Sequence, residues 1–286
     1  MQKASSIHTL RGTYQHSPLR VAVAPFRAFA LVAFFFLLGM FHVQAQISSP
    51  GVSGSKAVTW GALGVTQHLG NNNRWVSTTY VGLARKSDPH SWDLVKKQGL
   101  LVLNEEVVYG FNPHWQLSAA LSFREQNEYA SEAPYALEDP AHKYEVRYYS
   151  RLYYKHKLKQ VSMTYTFRPE LRTFYQSSDE PLDTPQEIRI RLKAQASIPL
   201  NSTHRNFLIG GNEFLTVTDE TPDKHWSAYH FSEDRLSMYF RHVFADAPVI
   251  VDLGLMEQFK QDGHTTSYLA FDVILQDPFG HKASAH

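Results

Sequence analysis

Residues 143–156, KYEVRYYSRLYYKH, decide the fold. Along them Tyr144, Val146, Tyr148, Leu152 and Tyr154 alternate with Glu145, Arg147, Tyr149, Arg151 and Lys155. Successive side chains of a β-strand point to opposite faces, so the first set makes an apolar face and the second gathers the ionised groups. The stretch is also longer than the roughly five or six residues of an ordinary strand. Its neighbours repeat the pattern. In residues 161–172, Val161, Met163, Tyr165, Phe167 and Leu171 alternate with Ser162, Thr164, Thr166, Arg168, Glu170 and Arg172. Residues 188–198 set Ile188, Ile190, Leu192 and Ile198 against Arg189, Arg191, Lys193 and Gln195. Upstream, residues 116–124 do the same, with Leu117, Leu121 and Phe123 opposed to Gln116, Ser118, Ser122 and Arg124.

Extended in both directions, the alternation yields strands at about 57–69, 74–85, 99–111, 115–126, 143–156, 160–174, 187–199, 206–217, 231–243, 248–260 and 266–276. A soluble sandwich produces alternation with its polar face toward water. Here the apolar faces are thick with Tyr and Phe, aromatic residues make up 13% of the chain, and the pattern persists across most of it. Bilayer outside and polar lumen inside account for both features. The expected fold is therefore all-β, an antiparallel up-and-down transmembrane β-barrel of about 10–12 strands. The segments number eleven, whereas a single-chain bacterial barrel of this type has an even number, which favours ten or twelve.

The connections alternate in length as well. Short ones fall at 70–73, 112–114, 156–159, 201–205 and 245–247, and long polar ones around 86–98, 127–142, 176–186 and 218–230. Outer-membrane barrels pair short periplasmic turns with longer extracellular loops in this way. Trp75 and Trp115 follow two of the short turns, and Tyr153 and Tyr154 approach a third, where an interfacial aromatic girdle is expected.

The N-terminus carries a second signal. Lys3, Arg11, Arg20 and Arg27 precede or border the apolar run AFALVAFFFLLGMF at 28–41, and no acidic residue occurs before position 46. Val43, Gln44 and Ala45 then give a small-residue cleavage site. This is the order of a secretory signal peptide, and the run is shorter than the roughly 20 residues of a membrane-spanning helix. The expected organisation is a signal peptide at 1–45, a short linker at 46–56, the barrel at 57–277 and a tail at 278–286. The expected location is the outer membrane of a Gram-negative bacterium. Losing the four basic residues of the signal leaves a mildly acidic chain, which argues against nucleic acid as a partner. Cysteine is absent, which excludes disulfides, thiolate metal sites and a cysteine nucleophile.

Charges on the polar faces form the candidate site: Glu145, Arg147, Arg151, Arg168, Glu170, Arg172, Arg189, Arg191, Glu213, Arg235 and Arg241. Across neighbouring strands, Arg and Glu of one face come within pairing reach. In a narrow barrel such a ladder fills the lumen and closes it. The alternative is an anion-attracting constriction, since arginines outnumber carboxylates in this set eight to three.

Several motifs recur in order along the chain: Glu145-x-Arg147, then Phe167-Arg168-Pro169-Glu170-Leu171-Arg172, then Arg189-x-Arg191 in the strand that ends Ile198-Pro199-Leu200. Asn212-Glu213-Phe214, Arg235 and Tyr239 continue the series, and the match covers about residues 57 to 277. In these the chain resembles the bacterial outer-membrane proteins grouped as the domain-of-unknown-function 2490 family. The resemblance implies an outer-membrane barrel and no particular activity. Phe279 follows a proline and is not terminal, which departs from the aromatic ending common in such barrels.

No catalytic residue, metal ligand or cofactor site is expected. The histidines lack a compact metal spacing such as HExxH, and no GxSxG elbow is present. His264 and Ser267 lie close in sequence, but three residues of strand point their side chains to opposite faces. The expected role is non-enzymatic, either structural or a narrow channel, with outer-membrane lipid and the barrel-assembly machinery as partners. A lipid-modifying enzyme of the outer leaflet and a soluble periplasmic protein binding an apolar ligand are the alternatives.

Overall fold

The computed structural model describes residues 49–52, 54–70, 73–176 and 182–280. The expected signal peptide lies outside these residues, as does the end of the tail. Eleven strands account for nearly all the rest: β1 (Ala57–Leu69), β2 (Trp75–Lys86), β3 (Lys97–Gly110), β4 (Trp115–Tyr129), β5 (Leu137–Leu158), β6 (Val161–Gln176), β7 (Gln186–Pro199), β8 (Asn206–Asp219), β9 (His230–Val243), β10 (Val249–Lys260) and β11 (Thr265–Gln276). Each pairs antiparallel with the next, and β11 returns to β1 to close a barrel.

Eleven, rather than ten or twelve, is possible because the closing pair is parallel. β1 and β11 run side by side from Ala57↔Ser267 to Thr66↔Gln276. An all-antiparallel ring needs an even count, and one parallel seam removes that requirement. The seam has a topological consequence. β1 starts at the end of the barrel that carries the long loops, whereas β11 finishes at the end that carries the short turns. At that second end Asp277 binds His68 of β1, with a carboxylate oxygen 2.9 Å from Nδ1.

Two stretches differ from expectation. The loop expected at 127–142 is mostly strand: β4 continues to Tyr129 and β5 begins at Leu137, with Tyr129 paired to Leu137. Its charged residues and Pro140 disguise that pairing, because Pro removes a ladder donor. The stretch expected as a linker enters the barrel. Ser49 and Val52 are buried, and the Val52 amide donates to the Tyr268 hydroxyl at 2.7 Å. Arg235 and Arg124 donate to the carbonyls of Ser49 and Gly51 at 3.3 Å each, and Thr266 donates to that of Ser55 at 2.9 Å. These contacts use the backbone amide and carbonyls of the stretch, so its sequence carries little trace of them.

The interior has two unlike sides. Val58, Trp60 and Ala62 of β1, with Ala84, Leu100, Val102, Met256, Tyr268, Ala270 and Val52, form an apolar cluster. Most of the ionised groups, from β3 to β9, occupy the other side, and an Arg241–Asp252 pair joins β9 to β10. On the apolar side glycines make room for large rings. A Cβ at Gly82 would stand 2.0 Å from Trp60, and one at Gly254 would stand 2.1 Å from Tyr239. Both glycines sit in paired strands that cannot move apart without losing ladder bonds. Gly82→Ala is therefore expected to cost about 1–3 kcal/mol through overpacking, seen as a lower denaturant midpoint by Trp fluorescence. An unchanged midpoint would mean that the Trp60 ring can swing aside.

Candidate functional site

The eleven charged residues read from the sequence all lie inside the barrel, on one connected side of its wall. Strand alternation places Glu145, Arg147 and Arg151 on the inner face of β5, and Arg168, Glu170 and Arg172 on that of β6. Register then sets Arg168 opposite Arg191 and Glu170 opposite Arg189, and in the next pairs Lys193 opposite Glu213 and Glu213 opposite Arg235. Like-charged neighbours in the ladder are tolerable only where carboxylates sit diagonally between them, and they do.

Arg172 grips Glu145 with two hydrogen bonds of 2.8 Å, and Arg147 donates to the same carboxylate at 2.7 Å. Glu170 has a fully buried side chain and meets Arg168 at 2.9 Å, Arg191 at 3.1 Å, Arg147 at 3.7 Å and Arg189 at 3.8 Å. Glu213 lies 3.5 Å from both Arg191 and Arg235. Arg241 forms a separate bidentate pair with Asp252, both bonds 2.7 Å.

Sequence reasoning missed several members. Glu187 accepts from Arg172 and, at 2.9 Å, from Arg189. Glu233 pairs with Arg235 and reaches Arg189 of β7 at 3.6 Å, a contact between strands that are not neighbours. Arg124 lies 3.4 Å from Glu145. Glu106 of β3 receives Arg151 at 3.0 Å and the Tyr153 hydroxyl at 2.9 Å, again across non-adjacent strands. Asp272 accepts from the Trp60 indole at 2.9 Å. The charges thus link in a ring, from Glu145 through Arg172, Glu187, Arg189, Glu233, Arg235, Glu213, Arg191, Glu170 and Arg147 back to Glu145. Glu106, Glu187, Glu233 and Asp252, each paired with an arginine, also remove most of the arginine excess counted from the sequence. What remains is a nearly balanced set of ion pairs.

Of the four aromatics expected at an interface, three lie on the outer wall. Trp75 packs against Tyr109 with ring centres 4.6 Å apart and planes tilted by 43°, and Trp115 pairs with Tyr154 at 4.8 Å. Both tryptophans are exposed beside short turns. Tyr153 does not join them. It is buried inside the barrel and bonded to Glu106, because it shares the parity of Arg151. At Ser267 the hydroxyl donates to Glu257 at 3.0 Å rather than to His264.

Toward the long-loop end the interior opens into a vestibule of about 350 Å³, lined by residues that include Gly51, Arg124, Lys143, Arg172, Phe174, Glu187, Arg189, Glu233 and Lys260. Beyond the strands on that side, Asp88 is held by Lys96 and Lys97. Burial alone would raise its carboxyl, but the hydrogen bonds from the two lysines outweigh that and hold it below the usual carboxylate range. Among the described residues no group of three or more His, Cys, Asp or Glu side chains could hold a metal ion.

A sequence profile of a family described as "Protein of unknown function (DUF2490)" matches residues 58–268. No curated protein matches the chain.

Proposed function

This chain belongs to the DUF2490 family of proteins of unknown function, and we propose that it is an outer-membrane barrel whose lumen is closed, with a structural rather than an enzymatic role. One observation carries the reading. Burial is inverted relative to a protein that folds in water. On the outward face Leu121, Leu236 and Leu255 are 49%, 55% and 57% exposed, and Leu63, Leu83, Leu103, Phe214, Phe240 and Phe271 are exposed beside them. On the inward face Glu170 and Arg235 are 2% exposed. A soluble monomer rarely leaves so wide an apolar surface uncovered. The apolar band goes around the barrel, broken on β3 by Glu105, whose carboxylate accepts from Ser77 and Thr79; lipid covers such a band on all sides, and a single protein partner does not.

The dimensions agree. Twelve residues, the length of β2, β10 and β11, extend roughly 40 Å at about 3.3 Å each, and the usual tilt of about 35–45° brings that to approximately the thickness of a bilayer core. In this reading the short turns face the periplasm, with Trp75, Trp115 and Tyr154 at the interface, and the long loops face outward. Export through a signal peptide at 1–45 and insertion by the barrel-assembly machinery follow from the same location.

The closed-lumen part rests on the ion-paired ring together with residues 49–52 inside the wall. The refolded chain in planar bilayers is expected to stay electrically silent. Discrete anion-favouring steps would overturn closure and favour the constriction. The location is tested by fractionating cells that express the chain. A heat-modifiable band in the outer-membrane fraction is expected, and recovery in the soluble periplasmic fraction would overturn the proposal.

A further inference from the structure

The vestibule at the long-loop end is more than the mouth of a closed barrel, and we propose that it binds a small phosphate-bearing anion free in solution. The inference goes beyond the bilayer reading and does not depend on it. At about 350 Å³ the cavity falls at the low end of the roughly 300–1,000 Å³ of small-molecule sites.

Its charges are unequally satisfied. Of the carboxylates that line it, Glu145 is held by Arg147 and Arg172, Glu187 by Arg172 and Arg189, and Glu233 by Arg235 and Gln258. Asp219 stands 3.8 Å from His230. Two lining lysines keep donor capacity, whereas Arg124 is engaged by the Gly51 carbonyl and Glu145. Lys143 Nζ lies 4.6 Å above the Phe174 ring, and Lys260 Nζ donates to the Val52 carbonyl at 3.3 Å. Neither lysine has a carboxylate within ion-pair distance among the described residues.

Lys143 and Lys260 come from β5 and β10, so they line the cavity from different parts of the wall. A group with several equivalent oxygens suits such a set better than a single acceptor does. Phosphate can come from a soluble ester or from a lipid headgroup. The barrel wall separates this cavity from the outward apolar surface, so a lipid would have to carry its headgroup over the rim with its chains behind it. The geometry favours the soluble source.

Titration calorimetry of the full chain in detergent, with inorganic pyrophosphate as the probe, tests this. Saturable binding is expected, with a Kd raised about tenfold or more by Lys143→Gln with Lys260→Gln, the loss of two charge-assisted bonds. Gln126 also lines the cavity, and Gln126→Glu, which adds a negative charge there, should weaken binding without touching either lysine. Near-ultraviolet circular dichroism unchanged from the parent shows that the variants fold. No saturation at millimolar pyrophosphate, or equal binding by the folded variants, would overturn the site. Displacement of pyrophosphate by phosphatidylglycerol in the micelle would overturn the soluble source in favour of a headgroup.

Discussion

Glu170→Gln is expected to cost about 3–5 kcal/mol of unfolding free energy, the penalty for leaving buried charge uncompensated. Four guanidiniums face this one carboxylate, and its side chain is fully buried. Neutralising it leaves Arg147, Arg168, Arg189 and Arg191 on adjoining strands with less than the charge that holds them together. Arg147, Arg168 and Arg191 are nearly enclosed, so water compensates them little. The same change at the surface has little effect: Lys224→Gln, which removes an exposed partner of Glu220, should alter stability by less than about 1 kcal/mol. Urea unfolding of both variants reads the contrast, and the midpoint should fall for Glu170→Gln without a change of slope. Two variants of equal stability would mean that the interior is wet and the ring is not a core.

Leu255→Arg separates the bilayer reading from the aqueous one by the size of its effect. Leu255 faces outward near the middle of β10 and pairs with Met238 and Leu269 in the ladder, so no carboxylate stands opposite a charge placed there. If lipid covers it, an arginine there costs about 2–4 kcal/mol. If water covers it, the substitution removes an exposed apolar group and should fall within about 0.5 kcal/mol of zero. Unfolding from lipid vesicles decides between them, with Leu192→Arg on β7, opposite Phe167 and Phe214, as an independent repeat on another part of the wall.

Most of the wall was legible because period-two alternation is a local property. Residues 143–156 carry it in full, and the strand limits read from such stretches fall within a few residues of those observed, except at the start of β5. Parity alone also assigned Arg147, Glu170 and Arg191 to one side. The same parity applied to Tyr153 puts it beside Arg151 and Lys155. Reading it as an interfacial residue by its nearness to a turn ignored the stronger rule. Asp252 and Asp272 were hidden for a different reason. Each is a lone charge in an otherwise apolar strand, IVDLGLM and LAFDVIL, and only the ladder, which sets them opposite each other, shows that they share a site with Arg241. The parallel seam and the entry of residues 49–52 were not legible at all. Both are long-range: β1 meets β11 from the far end of the chain, and the Gly51 and Val52 carbonyls are held by Arg124 and Lys260 rather than by any near neighbour.

Withdrawing detergent from the purified, refolded chain and following it by size-exclusion chromatography bears most directly on the inverted burial. In detergent or in lipid nanodiscs a single sharp species is expected, and without either the chain should aggregate as its apolar girdle meets water. A compact monomer that stays dissolved in plain buffer would contradict the account.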